Sequence, residues 1–172
     1  MTSIRLAVPI LAFFVAFESR AAPIAAVEAE MSFETLKRLE GDWTGTAPSG
    51  RNIRVTYRSI AAGSTLVETW ALGPGRVSMT VYHMDNDRLI ATHYCPLGNQ
   101  PRLLLSGHDG RGSFEFSFLD ATGLTSAVEA HQDSFRITMH GADTFARSET
   151  YIENGERASE IIQFQRVSGA DR

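Results

Sequence analysis

Residues 53–58 read Ile-Arg-Val-Thr-Tyr-Arg, with Ile53, Val55 and Tyr57 alternating with Arg54, Thr56 and Arg58. A period of two puts successive side chains on opposite faces of a β-sheet, so this stretch predicts a half-buried strand. The same period recurs downstream. Val77, Met79 and Val81 alternate with Ser78, Thr80 and Tyr82, and Phe114, Phe116 and Phe118 alternate with Glu115 and Ser117.

Turn signals separate these runs: Gly73-Pro74-Gly75, Asp85-Asn86-Asp87, His108-Asp109-Gly110, Gly141-Ala142-Asp143 and Asn154-Gly155. Asn-Gly is the strongest of them, because a type I′ hairpin needs positive φ at both central residues. Ten strands are predicted, near 41–47, 51–60, 64–71, 77–84, 88–95, 102–107, 112–119, 133–140, 143–151 and 157–167. Connections this short pair sequence neighbours as antiparallel neighbours. Ten strands tend to curl, and closure removes both exposed edges. The predicted fold class is therefore all-β: an antiparallel up-and-down β-barrel of about ten strands with a short N-terminal helix. A two-sheet sandwich shares much of the pattern. Residues 121–132 break the alternation and read as a helical turn or a lid over one barrel end. The helix is expected to start at Ser32, a plausible N-cap, with Glu34 in its first turn and Phe33, Leu36 and Leu39 on its apolar face.

Ahead of that helix, Arg5 precedes a twelve-residue apolar run, Leu6 to Phe17, and Ser19-Arg20-Ala21 offers small residues at −3 and −1 of a signal-peptidase site. The run is short for a membrane span of roughly 20 residues and contains Pro9. The expected division is a signal peptide over 1–21, a linker over 22–31, a barrel domain over 32–167 and a disordered tail over 168–172. Localisation would be periplasmic or secreted, with no stable membrane insertion after cleavage. Lipoprotein processing needs a cysteine just after the apolar segment, whereas the sole cysteine is Cys95. One cysteine forms no bridge within its own chain, so an exported fold must stand on packing. The net charge of −4 becomes −5 once Arg5, Glu18 and Arg20 leave with the peptide, and the remaining Lys and Arg are scattered singly. That distribution argues against nucleic acid as a partner.

Leu39-Glu40-Gly41-Asp42-Trp43-Thr44-Gly45, a short helix leading into Gly-x-Trp on the first strand, resembles the opening of the calycin superfamily, which includes lipocalins, fatty-acid-binding proteins and nitrobindin-like domains. The resemblance implies that Trp43 plugs the closed end of a barrel and that Arg166, on the last strand, packs across it as a barrel-closing partner. The stretch from about 33 to 167 is also similar to uncharacterised bacterial lipocalin-like proteins, through TVYHMDNDRL, THYCPLGNQPR and ETYIENGER. The implied property is binding of a small hydrophobic or amphipathic molecule. Nitrobindin-like domains bind haem through a late histidine, but the last two strands here carry none, and the final one, His140, falls at a predicted turn.

Residues 91–102, ATHYCPLGNQPR, concentrate the candidate chemistry. His93 and Cys95 share a strand face and Tyr94 takes the other; a spacing of about 6.6 to 6.8 Å is too long for a thiol-imidazole hydrogen bond. A free cysteine is ordinarily a small buried hydrophobe. Whether His83 joins His93 depends on the hairpin at 85–87: a three-residue loop places both on one face, and a two-residue loop separates them. Convergence of His83, His93 and His131 would suit a divalent metal, although no spacing matches a metal motif and none is assigned. Asn99, Gln100 and Arg102 could orient a ligand at the barrel rim, or could cap the turn that Pro96, Gly98 and Pro101 shape. Leu66, Glu68 and Trp70 share a face that reads as core or pocket wall.

The ligand-contact candidates are thus His83, His93, Tyr94, Asn99, Gln100, Arg102 and Trp70. No cofactor is assigned. A competing reading is an isomerase, cyclase or hydrolase using His93 as general acid or base with Tyr94 or His83 assisting. A haem protein is a further alternative.

Overall fold

The computed structural model describes residues 24–168. The expected signal peptide and all but Ser168 of the expected tail lie outside them. Ten strands close into a barrel in which each strand pairs antiparallel with its neighbours in sequence and β1 pairs with β10. The strands are β1 (Gly41–Thr46), β2 (Asn52–Ile60), β3 (Thr65–Gly73), β4 (Arg76–Asp85), β5 (Arg88–Tyr94), β6 (Gln100–His108), β7 (Ser113–Thr122), β8 (His131–Met139), β9 (Thr144–Glu153) and β10 (Glu156–Arg166). A sandwich is excluded by this closure.

The helix α1 spans Ala26–Leu36 and runs into a 3-10 turn, Lys37–Leu39. It begins six residues before Ser32, so Ser32 is no N-cap but a buried mid-helix residue, and the segment from Ala26 to Met31 is helical rather than linker. The capping box is formed by Glu28, whose carboxylate accepts the backbone N–H of Ala25 at 3.3 Å. The expected lid is also shorter than residues 121–132, because β7 continues to Thr122 and β8 starts at His131. Between them lies a turn tied by the Thr125 backbone N–H donating to Glu129 at 2.9 Å.

At the helix-covered end the lumen is filled by aromatic side chains, while a groove of about 360 Å³ runs outside it between α1 and residues 108–114. Trp43 is 1% exposed, its indole N–H donates to Leu39 O at 2.7 Å, and its ring meets Phe145 edge-on at 4.8 Å. Phe145 in turn stacks on Phe164 at 4.8 Å. The Arg166 guanidinium lies 4.1 Å from the Trp43 ring centre and donates to the carbonyls of Arg38 at 3.1 Å, Glu40 at 2.7 Å and Ala142 at 3.0 Å. One planar cation thus ties the end of the last strand to the chain entering the first.

The β4–β5 hairpin fixes the register that the sequence left open. Asp85 pairs with Arg88, so the loop has two residues, Asn86 and Asp87, and Thr80 faces His93 while His83 faces Ile90. Asn86 sits at φ 55°, the left-handed conformation such a turn requires. His83 and His93 are therefore on opposite faces.

Candidate functional site

The inward phase of the strands decides what the upper barrel can do. On β4 it is the polar set that points in: Ser78, Thr80 and Tyr82 are buried, whereas Val77 and Met79 are exposed. On β9 the inward residues after Phe145 are Arg147 and Glu149, both buried, followed by Tyr151. On β3 they are Leu66, Glu68 and Trp70, all buried. The result is a polar layer across the middle of the lumen.

Arg147 is its centre. Its Nη1 donates to Glu68 Oε2 at 3.1 Å and to Tyr82 Oη at 2.9 Å, and its Nε donates to Glu149 Oε1 at 3.1 Å. The guanidinium also lies over Phe135, 3.6 Å from the ring centre. Glu68 accepts further hydrogen bonds from the Tyr82 hydroxyl and the Trp70 indole. Gln132 on β8 donates to Glu149 Oε1 at 3.1 Å and to Tyr151 Oη at 3.4 Å. Burial opposes the charge on Arg147, but Glu68, with Tyr82 and Glu149, outweighs it and holds its pKa well above the ordinary value. Burial raises the Glu149 pKa even though Arg147 acts in the opposite direction.

Above this layer, at the end opposite the helix, lies a cavity of about 320 Å³. Its inner wall includes Trp70, Ser78, His93, Glu149 and Tyr151; Leu72, Cys95, Pro96 and Leu97 line the upper part, with Arg51, Arg76, Glu153 and Glu160 completing the lining. His93 is 3% exposed. Its Nδ1 is 3.1 Å from Thr80 Oγ1, and its Nε2 has no hydrogen-bond partner among the described residues. Gln132 Oε1 and Arg147 Nη2 are likewise unpartnered. Burial, and then the nearby Arg147 charge, lowers the His93 pKa to about 3, so the imidazole is neutral at pH 7. Cys95 lines the same cavity, and burial raises its thiol pKa, which disfavours the thiolate.

Of the sequence candidates, His93 and Trp70 are on the cavity wall. Tyr94 is 50% exposed on the outer face, and His83 projects to the face opposite Tyr82, so neither can assist His93 in acid-base chemistry. Arg102 is on the outside of the barrel, paired with Asp120 on β7 through Nε at 2.6 Å. Gln100 stays at the rim, accepting from Thr122 Oγ1 at 2.6 Å and donating to Gly98 O at 3.1 Å. Asn99 is buried and donates to Ala130 O at 2.8 Å, joining two loops at that end. Both amides thus bond to rim backbone or side chains and lie outside the cavity lining, while Asn99 Oδ1 is buried without a partner among the described residues. His131 binds Glu129 O through Nδ1 at 2.6 Å and packs on Phe118, away from His93, and no metal-binding cluster of His, Cys, Asp and Glu occurs among the described residues. Arg147, Glu149, Gln132, Tyr82 and Tyr151 were not singled out by sequence reasoning. The usable signal was the spacing Phe145, Arg147, Glu149, Tyr151: charges two apart, in phase with a core phenylalanine.

Fold and site together define a closed ten-stranded barrel whose lumen is filled at the helix-capped end and opens into a partly polar cavity at the other. No protein-family model matches the chain, and no curated protein matches it. Solved structures do. A protein of unknown function from the DUF3598 family of Nostoc punctiforme superposes with a TM-score of 0.51 at 16% identity, covering 77% of this chain and 49% of that one, so the present chain spans about half of that neighbour's length. Rv2717c from M. tuberculosis superposes with a TM-score of 0.52 at 19% identity, covering 80% of this chain and 98% of that one. At these identities the likeness is one of fold.

Proposed function

We propose that this barrel binds a small hydrophobic or amphipathic molecule in the cavity opposite its helix, in the manner the calycin resemblance implies. The observation that carries the reading is His93: a side chain 3% exposed, tied at Nδ1 and unpartnered at Nε2, on the wall of a cavity of about 320 Å³. A buried polar atom without a partner costs about 1–3 kcal/mol, and a ligand group that meets it recovers part of that cost. Pockets for small molecules are mostly apolar with a few orienting polar groups, and the combination of Trp70, Leu72, Pro96 and Leu97 with Ser78, His93 and Tyr151 has that character.

General acid-base catalysis by His93 has less support. A group with a pKa of about 3 is a weak base at neutral pH, and both assisting residues point away. Haem binding of the nitrobindin kind lacks its ligand, since β9 and β10 contain no histidine.

The test is a broad lipid and metabolite screen of the purified protein by thermal shift and native mass spectrometry. Binding should raise the melting temperature and change Trp70 fluorescence, and the His93→Gln variant should bind more weakly. Failure of every compound to shift the wild-type melting temperature would overturn the reading. Export is part of the same proposal. Intact mass of the protein recovered outside the cytoplasm should correspond to a chain beginning at Ala22, and retention of residues 1–21 would count against it.

A further inference from the structure

The charges around the cavity restrict what it can accept. Glu149, Glu153 and Glu160 line it together with Arg51 and Arg76, and Arg147 holds Glu149 from the layer beneath. A ligand carboxylate seated at His93 meets the buried carboxyl of Glu149. A ligand ammonium in the same place meets the field of Arg147, the field that already disfavours a charge on His93. Neither sign is matched at the inner end.

Beside Glu149, the hydrogen-bonding groups on the inner wall, Ser78, His93 and Tyr151, are neutral, and the unpartnered Arg147 Nη2 belongs to the layer beneath, outside the cavity lining. His93 Nε2 accepts if its Nδ1 donates to Thr80, and donates if Thr80 donates to it. The Tyr151 hydroxyl accepts weakly from Gln132, and its own proton has no acceptor among the described residues. The two rings are edge-on with centres 6.5 Å apart. A hydroxyl group both donates and accepts, so it satisfies either His93 tautomer and can still take the Tyr151 proton. A ketone or an ether answers only one of the two tautomers.

We propose that the ligand is an uncharged, hydroxyl-bearing, otherwise apolar compound, its hydroxyl directed to His93 Nε2 with Tyr151 as second partner, and its apolar body against Trp70, Leu72 and Leu97. This rests on the reading of the cavity as a binding site and adds the chemical class of what it takes.

Four probes of one shape separate the alternatives: 2-naphthol, naphthalene, 2-naphthoate and 2-(aminomethyl)naphthalene, titrated calorimetrically into the full chain at pH 7. The expected result is that 2-naphthol binds about tenfold more tightly than each of the others, a difference of one hydrogen bond to a buried group. His93→Phe should erase the preference of 2-naphthol over naphthalene, and Tyr151→Phe, which keeps the ring, should reduce it if the His93 variant does not fold. Equal affinity for naphthol and naphthalene leaves the cavity a binding site but overturns the hydroxyl assignment. Tightest binding by the acid or the amine overturns it in favour of a charged ligand. If none of the four binds while other compounds of the broad screen do, the hydroxyl assignment is overturned and the binding-site reading stands.

Discussion

Arg147 on β9 donates to Glu68 on β3 at 3.1 Å with both side chains fully withdrawn from solvent, although the two strands are not neighbours in the barrel. The ion pair therefore crosses the lumen and, with Glu149, forms the layer that separates the packed end from the cavity. Removing one member of a buried pair leaves an uncompensated charge and costs about 3–5 kcal/mol, whereas replacing the whole group with neutral residues costs far less. Arg147→Met should accordingly lose stability in that range in urea unfolding. The triple variant Arg147→Met, Glu68→Gln, Glu149→Gln should recover at least half of it. A loss under about 1 kcal/mol for the single variant would show that this layer does not support the fold.

His93 makes stability pH-dependent in a defined window. Its pKa is about 3 in the folded chain against an ordinary 6.5, so between those values the unfolded chain binds the extra proton. Stability then rises with pH: the contribution is complete above pH 6.5 and is lost as pH falls toward 3, at about 1.4 kcal/mol per pH unit. In His93→Gln that component should vanish, so urea midpoints measured at pH 4, 5 and 6 should show a shallower slope than wild type. Parallel slopes would mean that His93 is not buried neutral in solution.

The strand count was legible because short connections and a period of two survive in nearly every segment. Which phase points inward was less so. Val77, Met79 and Val81 look like the core face of β4, yet Thr80 and Tyr82 take the lumen because His93, Glu68 and Arg147 offer them polar partners, and Ser78 follows in phase. Pairwise hydrogen bonding across a closed lumen is set by residues distant in sequence, and no local periodicity encodes it. The His83 and His93 question had a similar character: a one-residue difference in loop length decides the face, and Asp85-Asn86-Asp87 permits either length. The start of α1 is hidden in the sequence because Ser32 suits an N-cap, while the capping box formed by Glu28 has only alanine at its cap position.

At the packed end, Arg166 is held by three carbonyls and an indole, a fork geometry that a lysine cannot reproduce. Arg166→Lys should cost about 1–3 kcal/mol, because at least one carbonyl loses its donor. Gly41 is the complementary position: its φ is 138°, and a Cβ there would fall on Arg166 Nη1. Gly41→Ala should therefore destabilise on two grounds, backbone strain and displacement of the guanidinium. Thermal unfolding of Gly41→Ala in the Arg166→Lys background separates them. A smaller effect of the alanine there than in wild type indicates that displacement dominates, and strict additivity indicates that strain alone acts.

The rim residues should divide by what they touch. Asn99 is buried and links residues 95–99 to residues 123–130 through Ala130 O, so Asn99→Ala leaves that half-buried carbonyl without its donor. The expected loss of about 1–2 kcal/mol lowers the melting temperature of a chain this size by about 3–6 °C. Arg102 has an exposed ion-pair partner in Asp120, and such pairs contribute about 0–1 kcal/mol, so Arg102→Ala should change little. Tyr94 points into solvent from the strand that carries His93 inward, and Tyr94→Ser should leave 2-naphthol affinity unchanged while His93→Gln weakens it. A larger affinity loss in Tyr94→Ser than in His93→Gln would reverse the assignment of the two faces of β5, and with it the proposal that a ligand binds inside the barrel.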